Sequence, residues 1–461
     1  MKMKCLFFLL AFSLAFFISC GSGCSSSDGE EAVNLSNPVV STGEESGPFG
    51  DASFVAAVNS IAESDFSPSG DVFYISPNGS DLDDGSENAP FKTFSHAIKR
   101  LSAGNILYVK GGIYHQRIEL PSSLKGGENS YITIAADPKN ENPAVISGSS
   151  LVDDFRILTI DGASYVRISG LFFSGADGLF AAGILVNPAS NHIIVDNCIF
   201  SEITVPEPEK EDHVANGILC YGSSANDAID NILLYGNSFS NMATGWGECV
   251  SVVGNCQNVN IIKNTIDGTG NIGIDVGGNY GYCPEPSLDF ARCVYIAEND
   301  VSNCESPYGD TAYGIYADGG QHIQIEDNSV SSCSGGIEVG AEEAQLSESY
   351  ATYDVLLRNN RVSNSEECAL AIGGYEIDRG LVRDVKVVSN TFTDNANSED
   401  GTIIALSKCK NISITDNTFT QSTGEFLGCL LYYSLSKAYS RNIELKGNIF
   451  NNIDEEVEGS E

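Results

Sequence analysis

The chain has 461 residues and a formal net charge of −38, with 24 Lys and Arg against 62 Asp and Glu. A surface this acidic excludes nucleic acid as a partner, and it repels a polyanionic polysaccharide unless cations or a local basic groove intervene. The length exceeds one ordinary globular core but suits a solenoid, which grows by adding units.

In chain order, residues 1–19 read as an export signal. Lys2 and Lys4 precede the apolar run "CLFFLLAFSLAFFIS", which is too short and wrongly flanked for an ordinary membrane span. "FISCGSGCSSSDGEE" then sets Ser19 before Cys20 and Gly21 after it. This resembles the lipobox of bacterial lipoproteins, with Cys24 as the weaker candidate. The resemblance implies cleavage, lipidation at Cys20 and membrane attachment through the lipid anchor, on the periplasmic or outer surface. A plain secretory peptide with an incidental Cys is the alternative. Residues 20–70, rich in Ser, Gly and acids, read as an acidic flexible tether; "SFVAAVNSIAE" within it has the makings of a short helix without an assigned role.

The remaining residues, 71–461, read as one repetitive domain. At its start, "TFSHAIKRLSAG" offers Thr93 as an N-cap, with Phe94, Ala97, Ile98 and Leu101 on one face. A helix there would serve as an N-terminal capping helix over otherwise unpaired strand edges. The stretch from residue 73 to residue 120 is similar to the N-terminal segment shared by β-helix polysaccharide lyases and glycoside hydrolases. Asp81, Asp83 and Asp84 read as an acidic turn in preference to a calcium site.

Beyond it, an apolar alternation ending in Asn, any residue, then an apolar residue recurs. The Asn stand at 197, 237, 264, 299, 328, 360, 390, 417 and 448, and Gly170 holds the same slot upstream. The usual interval of about 27 to 32 residues is too short for a propeller blade, and no 3.6-residue period is present. Asn tolerates the left-handed backbone of a tight corner and can pair with its copies above and below. The pattern resembles the Asn ladder of right-handed parallel β-helices, so the expected fold is all-β, a right-handed parallel β-helix, working as a monomer. Among the 14 Cys no pair has zinc-ligand spacing. Cys304 and Cys333 are expected on adjacent turns, and Cys283 and Cys293 could close a loop by a disulfide in an oxidising compartment.

A second strand lies between successive Asn: "GIDV" from Gly273, "GIYAD" from Gly314 and "GIEV" from Gly336 are three of its copies. With Ile274, Ile315 and Ile337 inward, Asp275, Tyr316 and Glu338 share an outward stripe, and Asp318 lies one row along. Stacked turns put the Asp318 and Glu338 carboxyls about 5 to 8 Å apart. The longest insertions, "GNYGYCPEPSLDFAR" and "AEEAQLSESYATY", rise beside this stripe and supply Tyr280, Tyr282, Arg292, Glu342 and Tyr350.

Three functions fit. Asp318 and Glu338 suit the two carboxylates of a retaining glycosidase cleaving a polysaccharide, one ionised and one held protonated by its neighbour's charge. This region looks like β-helix glycoside hydrolases of the β-xylosidase type, a resemblance that implies Asp318 as nucleophile and Glu338 as acid/base. "GIEVGAEE" departs from that family's pattern, and Glu342 competes for the second role. Asp275, Tyr316, Tyr282, Arg292 and Glu342 are the expected substrate contacts, with no cofactor required. In the second reading calcium at Asp275, Asp318 and Glu338 serves a pectate-lyase-like β-elimination, whose base would be Arg292 or Arg379 because no Lys falls on the stripe. In the third, the protein binds glycan without cleaving it. His192, His213 and His322 share no stripe with the acids, and Trp246, the only Trp, suits a sugar platform or core packing equally.

Overall fold

The computed structural model describes residues 46–61, 69–149, 156–210, 213–309, 311–374, 379–398, 401–422, 429–434, 441–453 and 457–459. The chain divides into two units, residues 1–43 and 44–461, and every described residue belongs to the second. The export signal, Cys20, Cys24 and most of the tether therefore lie outside the described residues.

Val72–Ile75 opens the first sheet, and from Ile106 onward each coil gives one strand to each of three sheets of 13, 12 and 12 strands, paired in parallel throughout. This is the expected parallel β-helix. Its core is a set of apolar files: Ile193 and Val195 on the first sheet stack coil by coil on Ile232 and Leu234, then Val259 and Ile261. Phe173, Phe200 and Phe239 stack face to face on the short-stranded sheet, with centroids 5.1 and 4.7 Å apart. Ile274, Ile315 and Ile337 fill the interior side of the third sheet, as their alternation requires.

The Asn ladder is present, shifted by one residue from its expected role. Asn299 donates from its backbone N–H and its Nδ2 to Asn328 Oδ1, at 2.9 Å each, and Asn328 repeats the pattern with Asn360. None of these ladder Asn has a positive φ. The left-handed residue is the one before: Lys263, Glu298, Asp327, Asn359, Ser389 and Asp416, with φ between 55° and 59°. The corner thus accepts many side chains, whereas the ladder slot selects for an amide. Asn197 is itself in the corner slot at φ 52°, and Cys198 occupies the ladder position, its N–H donating to Asn237 Oδ1. Gly170 at φ 66° shares the corner slot.

The short helix Phe94–Ile98 forms with Thr93 at its N-cap, accepting from His96 N–H, and buries Phe94, Ala97 and Ile98 in the core. Asp81 accepts from the Lys92 and Thr93 amides and the Thr93 hydroxyl, the work of an acidic turn. All ten Cys with described side chains are free thiols, Cys283 and Cys293 included. Cys304 and Cys333 are neighbours on adjacent coils, Ser334 N–H bonding to Cys304 O. Among the described residues no helix is long and apolar enough to cross a membrane.

The expected tether gives way to a docked strap before residue 62. Phe49 exchanges two backbone bonds of 2.8 Å with the Asn260 side-chain amide. Gly47 N–H donates to Gln324 Oε1, and Asp51 N–H to Asn231 Oδ1. The helix Ala52–Ser60 follows, capped by Asp51, and sets Phe54 and Val58, with Ile61 just beyond it, against Ile194, Leu233 and Ile262 on the outside of the first sheet. The helix in "SFVAAVNSIAE" is legible in the sequence; its seat is not, because outward Ile and Leu on a β-helix look like any other strand residues.

Candidate active site

The third sheet carries the expected stripe. Ser251, Asp275, Tyr316, Glu338 and Ala371 are in register on five successive coils. Asp318 lies two residues beyond Tyr316 and pairs laterally with Gly340. What alternation could not show is how deeply these side chains are covered: Asp275 and Tyr316 are 6% exposed, Asp318 and Glu338 only 2%.

Gly340 sets the spacing. A Cβ there would stand 2.6 Å from the Tyr316 hydroxyl and 3.0 Å from Glu338 Oε1, so both side chains reach over the space its missing side chain leaves. Gly340 is the direct neighbour of Asp318 one inter-coil spacing of ~5 Å away, so Asp318 and Glu338 lie on adjacent coils and share this face of the sheet. Gly277 flanks the other side, where a Cβ would meet Asp275 Oδ2 at 3.1 Å.

The cover is the loop of residues 278–291. Gly278 N–H donates to Asp318 O at 2.7 Å, and the Tyr280 hydroxyl donates to Asp318 Oδ2 while lying 3.1 Å from Glu342 Oε2. Glu342 N–H donates to Asp318 Oδ1 at 2.7 Å. The loop is knotted by Asp289, whose buried carboxylate accepts from the Gly281 and Cys283 amides. Tyr282 stacks on Tyr280 and meets Tyr221 edge-on, remaining 37% exposed at the mouth.

Crowding acids out of water makes them hold protons. Burial pushes the Asp318 carboxyl up to about 6, against the pull of Tyr280 and the Glu342 amide and with help from the Glu248 and Glu343 charges. Burial likewise pushes Glu248 up to about 7, despite bonds to Ser251 and Asn216 that favour its ionised form. Asp275 is raised well above the usual carboxylate range, first by burial, then by the charges of Glu248, Asp318 and Glu342, while Ser251 opposes. Its Oδ1 is buried with no hydrogen-bond partner among the described residues. Each of these folded-state values lies above its unfolded counterpart, so each contribution to stability is complete at low pH and is lost as pH rises through the folded value. For Asp318 and Glu248 that window runs from about pH 4 to 7. Asp275→Asn keeps the shape and removes the charge. It is expected to stabilise the fold by about 2 kcal/mol at pH 8 and by little at pH 4. Denaturant melts at the two pH values check this, and an equal or reversed difference would contradict it.

Other residues fall differently from expectation. Arg292 is not in a loop beside the stripe. It opens the strand Arg292–Ala297 of the first sheet, where its buried guanidinium donates to Asn255 Oδ1 and Gln257 Oε1. The alternation "RCVYIA" recruits it into that sheet, one residue earlier than the insertion seemed to end. Arg379 forms a 2.7 Å ion pair with Glu343. Glu342 is exposed at the rim, bonded as described. His192 stacks on Tyr165 and pairs with Asp51, and His322 pairs with Asp354, both away from the acids. Among the described residues no three His, Cys, Asp or Glu side chains converge as metal ligands.

Glu248, Ser251, Gly340 and Asp289 received no site role from sequence. Ser251 was the most accessible: in "ECVSVV" it occupies the slot that Asp275 fills one coil later.

Comparisons with known proteins agree with this architecture. Residues 73–251 match the family model described as Pel9A-like, right handed beta helix region, and residues 248–450 the one described as right handed beta helix region. The uncharacterized protein YwoF of Bacillus subtilis is 30% identical over 367 residues, spanning 76% of this chain and 75% of YwoF. Pectate lyase PEL9 of Emericella nidulans is 26% identical over 179 residues, 36% of this chain and 39% of that protein. Among solved structures, the GH136 lacto-N-biosidase of Eubacterium ramulus superposes with a TM-score of 0.58 at 14% identity, covering 83% of this chain and 68% of that one.

Proposed function

The chain belongs to the family of Bacillus subtilis YwoF and matches right-handed β-helix models along its coils, and we propose that it is a carbohydrate-active protein cleaving glycosidic bonds of a polysaccharide by two-carboxylate hydrolysis. The observation that carries this reading is the placement of two buried carboxyls, Asp318 and Glu338, on adjacent coils of one sheet, with Glu338 Oε1 leaning over Gly340, the direct neighbour of Asp318. A retaining mechanism needs its two carboxyls about 5 Å apart, a span of the order of the spacing between adjacent coils. Asp318, ionised above about pH 6 and oriented by Tyr280 and the Glu342 amide, attacks the anomeric carbon. Glu338 protonates the departing glycosidic oxygen, then takes a proton from the water that releases the glycosyl group. Tyr282 and Tyr221 provide ring faces at the mouth.

The likeness to a pectate lyase favours β-elimination as a second reading. Calcium does not fit the residues it would need: both oxygens of Asp318 already accept from Tyr280 and Glu342, and Asp275, Asp318 and Glu338 do not converge as ligands. Neither Arg292 nor Arg379 stands on the stripe. A screen on xylan, pectin and alginate decides the matter. Hydrolysis gives new reducing ends without ultraviolet-absorbing unsaturated uronate, whereas elimination gives the absorbing product, and binding without either product leaves a glycan-binding protein.

We also infer export and lipid attachment at Cys20, from the lipobox-like "FISCG" alone. Expressed in a bacterium, the chain is expected to partition into detergent and to incorporate labelled fatty acid. Cys20→Ser should abolish both, and label retained in that variant would place the lipid elsewhere.

A further inference from the structure

The entry side of the acid-bearing strands carries an aromatic pair that the hydrolytic reading does not use. Trp246 lies in the loop before the strand Val250–Gly254, and Tyr308 in the loop before Tyr313–Asp318. Their rings are stacked at 3.8 Å between centroids and 9° between planes, and both residues are partly buried. The two loops belong to coils that are next-nearest neighbours, about 10 Å apart. Between them runs the coil entering Ile274–Gly277, the strand of Asp275. These entries are bonded side by side: Cys249 N–H donates to Ile272 O, and Gly273 N–H to Tyr313 O. To touch, Trp246 and Tyr308 must therefore arch over the outside of that middle coil.

The arch and the Tyr280–Tyr282–Tyr221 group stand at opposite ends of the same short strands, with the acids between them. A glycan lying along the strand direction would meet one aromatic group, then the carboxyls, then the other. Flat aromatic surface left partly exposed at the end of acid-bearing strands suits the apolar face of a sugar ring. The chain's net charge of −38 disfavours an anionic sugar there.

We propose that Trp246 and Tyr308 form a distal subsite for a neutral pyranose unit of the substrate, on the far side of the cleaved bond from Tyr282. The proposal rests on the hydrolytic reading for the word substrate, but its geometry is independent of which carboxyl attacks.

Because Trp246 is the only Trp in the chain, its emission reports on this place alone. Titration of the wild-type protein with neutral xylo-oligosaccharide is expected to shift or quench that emission saturably, and oligogalacturonate at equal concentration to have little effect. Trp246→Ala and Tyr308→Ala should raise KM about tenfold with kcat within threefold, and Trp246→Phe should restore most of the affinity. Unchanged emission at saturating concentrations of an oligosaccharide that the protein cleaves overturns the subsite, as does a loss confined to kcat. If emission responds while Asp318→Asn still cleaves, the catalytic assignment falls and the subsite stands. If no oligosaccharide perturbs emission or is cleaved, both fall.

Discussion

Asp318→Asn is expected to lower cleavage by at least about a thousandfold while leaving the fold intact. The amide keeps the volume of the carboxyl and loses the charge that attacks the anomeric carbon. Its environment should tolerate the change: the amide oxygen keeps the bond from Glu342 N–H, the Tyr280 hydroxyl can turn to accept from the amide nitrogen, and the burial that raises Asp318 to about 6 imposes a desolvation cost that the amide removes. Near-native melting with abolished turnover is the combined signature. Glu338→Gln should also be severely impaired, and less so for substrates with activated leaving groups, because these need no proton at the departing oxygen. If Asp318→Asn retains full activity, nucleophilic attack must come from elsewhere, and Glu248 and Glu342 are the carboxyls to examine. If both variants are inactive yet a leaving-group effect is absent for Glu338→Gln, the two roles have been exchanged.

The other large effect concerns stability. A chain beginning at residue 69 would lack the strap and leave Ile194, Leu233 and Ile262 open to water. Burying Phe54, Val58 and Ile61 accounts for roughly 5 to 9 kcal/mol as an upper range, at about 1.5 to 3 kcal/mol each. The side-chain amides of Asn231, Asn260 and Gln324 also lose their backbone partners. Solenoids open locally, because each coil touches only its neighbours. The expected result is therefore faster hydrogen exchange in the strands Asn191–Asp196, Ile229–Tyr235 and Cys256–Ile262, together with a lower melting temperature. Unchanged exchange in those three strands would mean the strap contributes nothing.

Much of this architecture was legible in the sequence because it repeats. A coil that must stack on its neighbours writes the same apolar alternation each time, so the inward files at Ile274, Ile315 and Ile337 and the stripe of Asp275, Tyr316 and Glu338 could be placed from period two alone. The ladder was visible for the same reason, yet its mechanism was displaced by one residue, since spacing cannot say which of two adjacent positions turns the corner. The site was legible only as far as the repeat carried it. The knot at Asp289, the reach of Tyr280 onto Asp318 and the docking of Phe54 depend on non-repeating segments, whose path no neighbouring coil dictates. Arg292 shows the converse: it looked like a loop residue until the strand it opens was seen to claim it. Gly340 was in plain view within "GIEVG", but its meaning depends on knowing which residue stands beside it.

The strap also orders events in time. Gly47 is made early, yet its partner Gln324 lies 277 residues further on, and Ser46 meets Arg358, 312 residues away. The segment crosses the coils against the direction of synthesis, so its beginning cannot be seated until most of the solenoid exists. The earliest part of the strap to leave the ribosome is thus the last to reach its berth, and Ile194, Leu233 and Ile262 stay uncovered until the coil of Ile262 is made and Phe54, Val58 and Ile61 can seat on it. That interval is when a half-built chain is most prone to stick to another copy of itself.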